Sequence, residues 1–286
     1  MSRLIVNSQT KEQIDNYLKN PGQSVGLIGQ KWLNKGLIAV QLAAFLLEIP
    51  ESELQKYPYL LTIADPESKS IGIDEVRKVN SFTRLTVPSK KEISRIVIIE
   101  GASLMTQEAQ NALLKNLEEP PKGTIFILTA DSIKSLLPTI ISRLNVINVI
   151  KPPKEDLIEQ YESDGYDKTE ISQAYLISGG LPGLIDLMLS SDDHPLNTAT
   201  KQARQLLLGT TFDRLNMIND LAKDKSQFKN ILFIIKQMSK VGLSSSDPTS
   251  ANRWQRILSA CLDSETKMNS NGQTKLLLTN FMLSLT

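Results

Sequence analysis

The chain is nearly empty of the residues that build metal centres and nucleophilic pairs. Among 286 residues there is one cysteine, Cys261, and one histidine, His194. A disulfide within the chain is therefore excluded, and so is a four-ligand Cys/His zinc site. A Cys–His nucleophilic pair would have to use those two residues, and a Ser–His pair that one histidine. Neither is well placed for it. Cys261 lies in "RILSACLDS" at an apolar helical position and reads as a small buried hydrophobe. His194, in "SSDDHPLN", precedes a proline in a polar turn and reads as a connector. An excess of charge is also missing: 32 Lys and Arg balance 31 Asp and Glu, for a net charge of +1. That excludes a protein that grips nucleic acid through a large basic face of its own. No apolar run approaches the ~20 residues of a membrane span, and no signal-like leader opens the sequence, so a cytoplasmic location is expected.

What is present supports a folded, multi-part chain. A hydrophobic content of 41% is enough for a sizeable core, and the length suits two or three domains. Residues 1–150 alternate apolar runs with helical patterns. "SVGLIG", "YLLTIA", "RIVIIEG", "TIFILTA" and "VINVIK" are near-continuous apolar runs, as expected of strands buried on both faces. Between them, helices are predicted over Lys35–Glu48, Asp74–Thr83, Gln107–Glu118 and Ile133–Ser142. Thr106 is suited to cap the third, whose residues Ala109, Ala112, Leu113 and Leu117 share a face, and Pro120 and Pro121 stop it. This rhythm predicts a parallel α/β domain over 1–152. A small helical unit follows over 153–192, with "SGGLPG" as a tight turn, and an all-helical domain over 193–286.

The stretch "SVGLIGQKWLNKG" sets a strand and a loop before an apolar helix, the context of a phosphate-binding loop. Against G-x-x-x-x-G-K-[ST] it keeps Gly29 and Lys35, but Asn34 stands for the second glycine and Gly36 for the hydroxyl residue. Asn tolerates a left-handed backbone, so Asn34 is survivable. Gly36 removes the hydroxyl that would hold Mg²⁺.

The block "RIVIIEGASLMTQEAQNALLKNLEEPPKGTIFILTADSIKSLLPTIISRL", together with "YPYLLTIADPESKSIGIDEVR", resembles the core of the clamp-loader subunits of bacterial DNA polymerase III, a family of AAA+ proteins. Order and spacing agree from Lys11 to Leu189, and the delta prime branch is the most similar. The resemblance implies an AAA+-type parallel sheet with a small helical lid, followed by a helical collar through which subunits join. It also places further residues of the nucleotide site. Glu100 and Gly101 stand where the family has Asp-Glu, so the water-activating carboxylate is absent. Ser132 falls at a polar sensor position, and Leu184 stands where a second sensor is Arg. A pocket altered at so many points is expected to bind no functional cofactor of its own.

By the same resemblance, "ISR" matches the family's Ser-Arg-Cys motif. Ser142 and Arg143 would then present an arginine finger to ATP bound by a neighbouring subunit. The zinc module common in delta prime subunits is missing from "EIPESELQKYPYL", so no metal is expected. Partners implied are the tau/gamma and delta subunits, the sliding clamp, and primer–template DNA within a hetero-oligomer, with no membrane. The cluster Lys90, Lys91 and Arg95 reads as a solvated turn before a strand rather than a phosphate contact. Two alternatives stay open from sequence: an ATP-hydrolysing tau/gamma-like motor subunit, and an AAA+-derived interaction module outside replication.

Overall fold

A computed structural model describes residues 5–22, 24–63, 70–88, 91–190, 195–243, 247–268 and 274–285. Contacts divide the chain into two compact units, residues 1–153 and 154–286. His194 lies outside the described residues.

The first unit is built on a five-stranded parallel sheet: β1 (Val25–Ile28), β2 (Leu60–Ile63), β3 (Arg95–Ile99), β4 (Thr124–Ala130) and β5 (Asn145–Asn148). Every run read as a strand forms one. Spatial order is β2-β3-β4-β1-β5. β1, β3 and β4 are buried at every position, which is why their sequences run apolar without alternation. Helices α1 (Ser8–Lys19), α2 (Lys35–Leu47), α3 (Glu51–Leu54), α4 (Ile73–Thr83), α5 (Gln107–Glu118) and α6 (Pro138–Ile141) complete the unit. One core cluster joins Val97, Ile99, Phe126 and Leu128 of the sheet to Val76 and Val79 of α4 and to Ala109, Leu113 and Leu117 of α5. The Thr106 side chain caps α5, accepting from Ala109 N at 3.2 Å.

Two local departures have clear physical causes. The helix expected over Ile133–Ser142 is instead a 3-10 turn at Ile133–Ser135 followed by the four-residue α6. Pro138 has no N–H and forces Leu137 into an extended conformation, so the segment breaks and restarts with the proline in its first turn. The sequence also gives little sign of α1, a polar helix that covers the β5 edge. There Thr10 Oγ1 donates to Asn148 O at 2.9 Å, and Gln13 Oε1 accepts from Asn148 N at 2.7 Å. These bonds engage the outward-facing backbone groups of Asn148, and a helix laid over an edge strand is one way such edges are kept from pairing further.

The second unit is wholly helical among its described residues. It comprises α7 (Lys154–Ser163), α8 (Lys168–Ser178), α9 (Pro182–Leu189), α10 (Pro195–Leu208), α11 (Thr211–Asn216), α12 (Ile218–Leu221), α13 (Lys225–Gly242), α14 (Pro248–Met268) and α15 (Thr274–Ser284). Gly179 and Gly180, at φ of 66° and 75°, make the turn between α8 and α9 that only glycine takes without strain. Within this unit α8 packs on α13 and α9 on α10, across the 192/193 boundary expected from sequence. Phe228 of α13 and Phe281 of α15 meet edge to face at 5.5 Å in its core. Cys261 is fully buried, as its apolar setting implied. Among the described residues no helix is long and apolar enough to cross a membrane.

Candidate functional site

The sheet order brings three strand ends together. β1 lies between β4 and β5, and its chain leaves for the far edge, which makes its C-terminal end a switch point of the topology, where ligands of open α/β sheets bind. Gly29 follows β1 there, its N–H donating to Ala130 O at 3.1 Å. A Cβ at this glycine would lie 2.3 Å from Val149 O, so no larger residue fits. The loop then turns through Trp32 and Asn34, both left-handed with φ of 71° and 53°, and enters α2 at Lys35. Asn34 thus adopts the backbone that a glycine would supply.

Lys35 is only 8% exposed. Its ammonium donates to Gly29 O at 2.7 Å, Gln30 O at 2.9 Å and Asp131 Oδ1 at 2.9 Å. Asp131, just past β4, is the acidic residue that the sequence reading passed over in favour of its neighbour. Ser132, at the position where the family has its polar sensor, caps the following 3-10 turn, its Oγ accepting from Lys134 N at 3.2 Å. The signal was there: an aspartate directly after a buried strand whose neighbour, β1, feeds the lysine loop.

Glu100 follows β3 and lies against α2. A Cβ built at Gly36 would sit 1.6 Å from Glu100 Oε1 and 2.8 Å from its Cδ. The carboxylate therefore occupies the space into which a serine or threonine at 36 would project. Gly101 takes φ of 68°, with its N–H held by Thr129 Oγ1 at 2.9 Å. A glutamate there would have to adopt a left-handed backbone, so the family's Asp-Glu pair does not fit this turn unchanged. Leu184 is fully buried in the helical unit. A Mg²⁺-nucleotide is what the loop's type implies, and the residues present do not fit one. The hydroxyl is absent, its space is filled by a carboxylate, and the lysine's donors are used within the chain.

Arg143 lies beyond α6, its side chain 32% exposed. Its guanidinium donates to Thr139 O at 2.8 Å and Ser142 Oγ at 3.1 Å, and pairs with Glu118 Oε1 at 2.5 Å at the end of α5. The platform under it is braced by Gln110, 5% exposed. That side chain donates to Met105 O and Ser135 O and accepts from Leu137 N at 2.8 Å. Gln110 therefore ties α5 to the segment that leads into α6 and the arginine. Arg95, read from sequence as part of a solvated turn, is instead buried at 3% exposure. Its guanidinium donates to Thr83 O at 2.6 Å and to Leu85 O, meeting the carbonyls at the C-terminal end of α4, where a cation is favoured. Burial lowers its pKa from the ordinary arginine value. Lys91 donates to Leu47 O at 2.8 Å and pairs with Glu48 at 3.0 Å; Lys90 lies outside the described residues.

Residues 49–153 match the family model described as DNA polymerase III, delta subunit. Over that stretch the α/β unit is similar to the delta prime subunits of DNA polymerase III. The DNA polymerase III subunit delta' of Haemophilus influenzae is 35% identical over 131 residues, covering 46% of this chain and 39% of the relative. That of Escherichia coli is 30% identical over 139 residues, covering 48% and 41%. The chain thus spans about two fifths of the length of the curated relatives it matches. A crystal structure of a DNA polymerase III gamma subunit-related protein from Thermotoga maritima superposes with a TM-score of 0.57 at 20% identity, covering 97% of this chain and 98% of that one. That likeness extends the fold, an AAA+-type sheet domain followed by helices, through both units.

Proposed function

We propose that this chain is a non-hydrolysing, delta prime-like subunit of a bacterial sliding-clamp loader. It joins tau/gamma and delta subunits, supports ATP-dependent loading of the ring clamp onto primed DNA in the cytoplasm, and supplies Arg143 to ATP held by a neighbour. The observation that carries this reading is a contrast within one unit. The chain's own phosphate loop has its lysine engaged and its metal-binding hydroxyl missing, while an arginine in the family's finger motif stands partly exposed on a braced platform. An arginine finger stabilises charge on a transferring phosphoryl group and is typically worth about 10³–10⁵ in rate. It needs a nucleotide to act on, and the reading places that nucleotide on another subunit. No zinc and no nucleotide of its own belong to the proposal.

The test is to reconstitute the complex with tau/gamma and delta subunits, clamp and primed DNA, using Arg143→Ala and Arg143→Lys. Alanine removes the charge; lysine keeps it but loses the planar fork that meets phosphate oxygens in pairs. Both variants should assemble normally and lower DNA- and clamp-stimulated ATP turnover, alanine the more. Unchanged turnover in an intact Arg143→Ala complex would return the arginine to the role of a helix-end residue paired with Glu118.

A further inference from the structure

Counting missing motif residues treats the phosphate loop as eroded, whereas the side chains show a set of substitutions that fit one another. A lysine ammonium has three donors. At Lys35 the three go to Gly29 O, Gln30 O and Asp131 Oδ1. Asp131 thereby supplies, from within the chain, the anion that a nucleotide phosphate would supply. On the other side of the loop, Glu100 and Gly36 permit each other. Any side chain at 36 would begin 1.6 Å from Glu100 Oε1, far inside van der Waals contact. An aspartate at 100 would draw the carboxylate back by about one carbon–carbon bond, ~1.5 Å. The longer acid and the lost hydroxyl are thus two halves of one change.

We infer that the chain closes its own phosphate loop. Asp131 holds the lysine in place of a phosphate, and Glu100 fills the space of the hydroxyl at position 36 and of the metal that hydroxyl would hold. The inference rests on the reading of a non-hydrolysing subunit and adds how nucleotide is excluded. Neither half suffices alone. Asp131 is 52% exposed, so its pair with Lys35 is partly screened by solvent, and a competing phosphate loses only about fivefold in affinity to it. The filled metal position removes the rest, because a triphosphate without its cation meets the Glu100 carboxylate directly.

The experiment uses the 286-residue chain and titrates inorganic pyrophosphate and ATP, with and without Mg²⁺, by calorimetry and by the fluorescence of Trp32 in the loop. The unaltered chain should bind pyrophosphate only weakly and show no binding of ATP. Asp131→Asn should raise pyrophosphate affinity about fivefold, with or without Mg²⁺. Gly36→Ser alone should gain nothing and lose thermal stability, because Glu100 must be pushed aside. Asp131→Asn, Gly36→Ser and Glu100→Asp together should bind ATP, with affinity raised at least about tenfold by Mg²⁺, the worth of one well-formed charge contact. No gain in any variant that keeps the unaltered circular dichroism and melting profile would overturn the interlock and leave the non-hydrolysing reading standing. Asp131→Asn, a change at a half-exposed side chain, keeps that test available if the triple variant fails to fold. A Gly36→Ser chain as stable as the unaltered one would overturn the matched pair. Binding and turnover of Mg-ATP by the unaltered chain would overturn the underlying reading itself.

Discussion

Gln110→Ala should be among the more damaging single changes in the α/β unit, although it touches neither the loop nor the arginine. Gln110 is 5% exposed, and its amide engages Met105 O at 3.3 Å, Ser135 O at 3.1 Å and Leu137 N at 2.8 Å. Truncation leaves one N–H and two carbonyls without those partners in a setting where little water reaches them. A buried group left unsatisfied costs about 1–3 kcal/mol, and partial relaxation of the three sites sets the total at roughly 2–4 kcal/mol. For a unit of this size each kcal/mol lowers Tm by about 2–4 °C, so a fall of roughly 4–16 °C is expected. Urea unfolding followed by circular dichroism measures it, with Gln107→Ala on the exposed face of the same helix as the control. That control should stay within about 0.5 kcal/mol of the unaltered chain. If Gln110→Ala matches the control, the brace between α5 and the segment before α6 is not a stabilising element and the argument fails.

Burial pushes the Cys261 thiol up to about 12, with Glu265 adding to the effect, so the native chain should resist a thiol reagent at pH 8 and react fully once unfolded; rapid labelling of the native chain would contradict its place in the core. In the helical unit, the Asp167 carboxylate accepts from Thr169 N at 2.7 Å, and that of Asp213 accepts from the Thr210 hydroxyl and N–H. These bonds hold both pKa values below the ordinary carboxylate range. A carboxyl whose folded pKa is depressed adds stability above its unfolded pKa of about 3.9, and that stability is lost as pH falls through the folded value. Asp167→Asn with Asp213→Asn keeps capping geometry without the charge, so the acid limb of a stability–pH curve should become shallower; an unchanged limb would refute the assignment.

Much of the fold was legible because its signals are local. Five apolar runs became five strands, and Thr106 with Pro120 and Pro121 marked both ends of α5 to the residue. What was hidden depends on distant partners. The polar pattern of α1 gains meaning only against the backbone of β5, 138 residues away from Thr10 at Asn148. Arg95 looked like one member of a basic cluster, and only the folded position of α4 shows that its guanidinium caps a helix end. At the loop, sequence registered that Gly36 and Glu100 depart from a motif, but not that one departure occupies the space vacated by the other. Asp131 was invisible for the same reason: no motif names it, and its tie to Lys35 spans 96 residues.

The pairing of Arg143 with Glu118 has a consequence for kinetics of assembly. A long cationic side chain free in solvent samples many rotamers, and fixing it on a ligand costs ordering entropy of up to about 2 kcal/mol. Here that cost is met during folding, since Thr139 O, Ser142 Oγ and Glu118 already hold the guanidinium in one orientation. On the proposed reading, engaging a neighbour's phosphate is then an exchange of one oxyanion for another rather than the capture of a moving group. Such a swap leaves the arginine's orientation largely preset and returns the side chain to its own carboxylate when the phosphate departs.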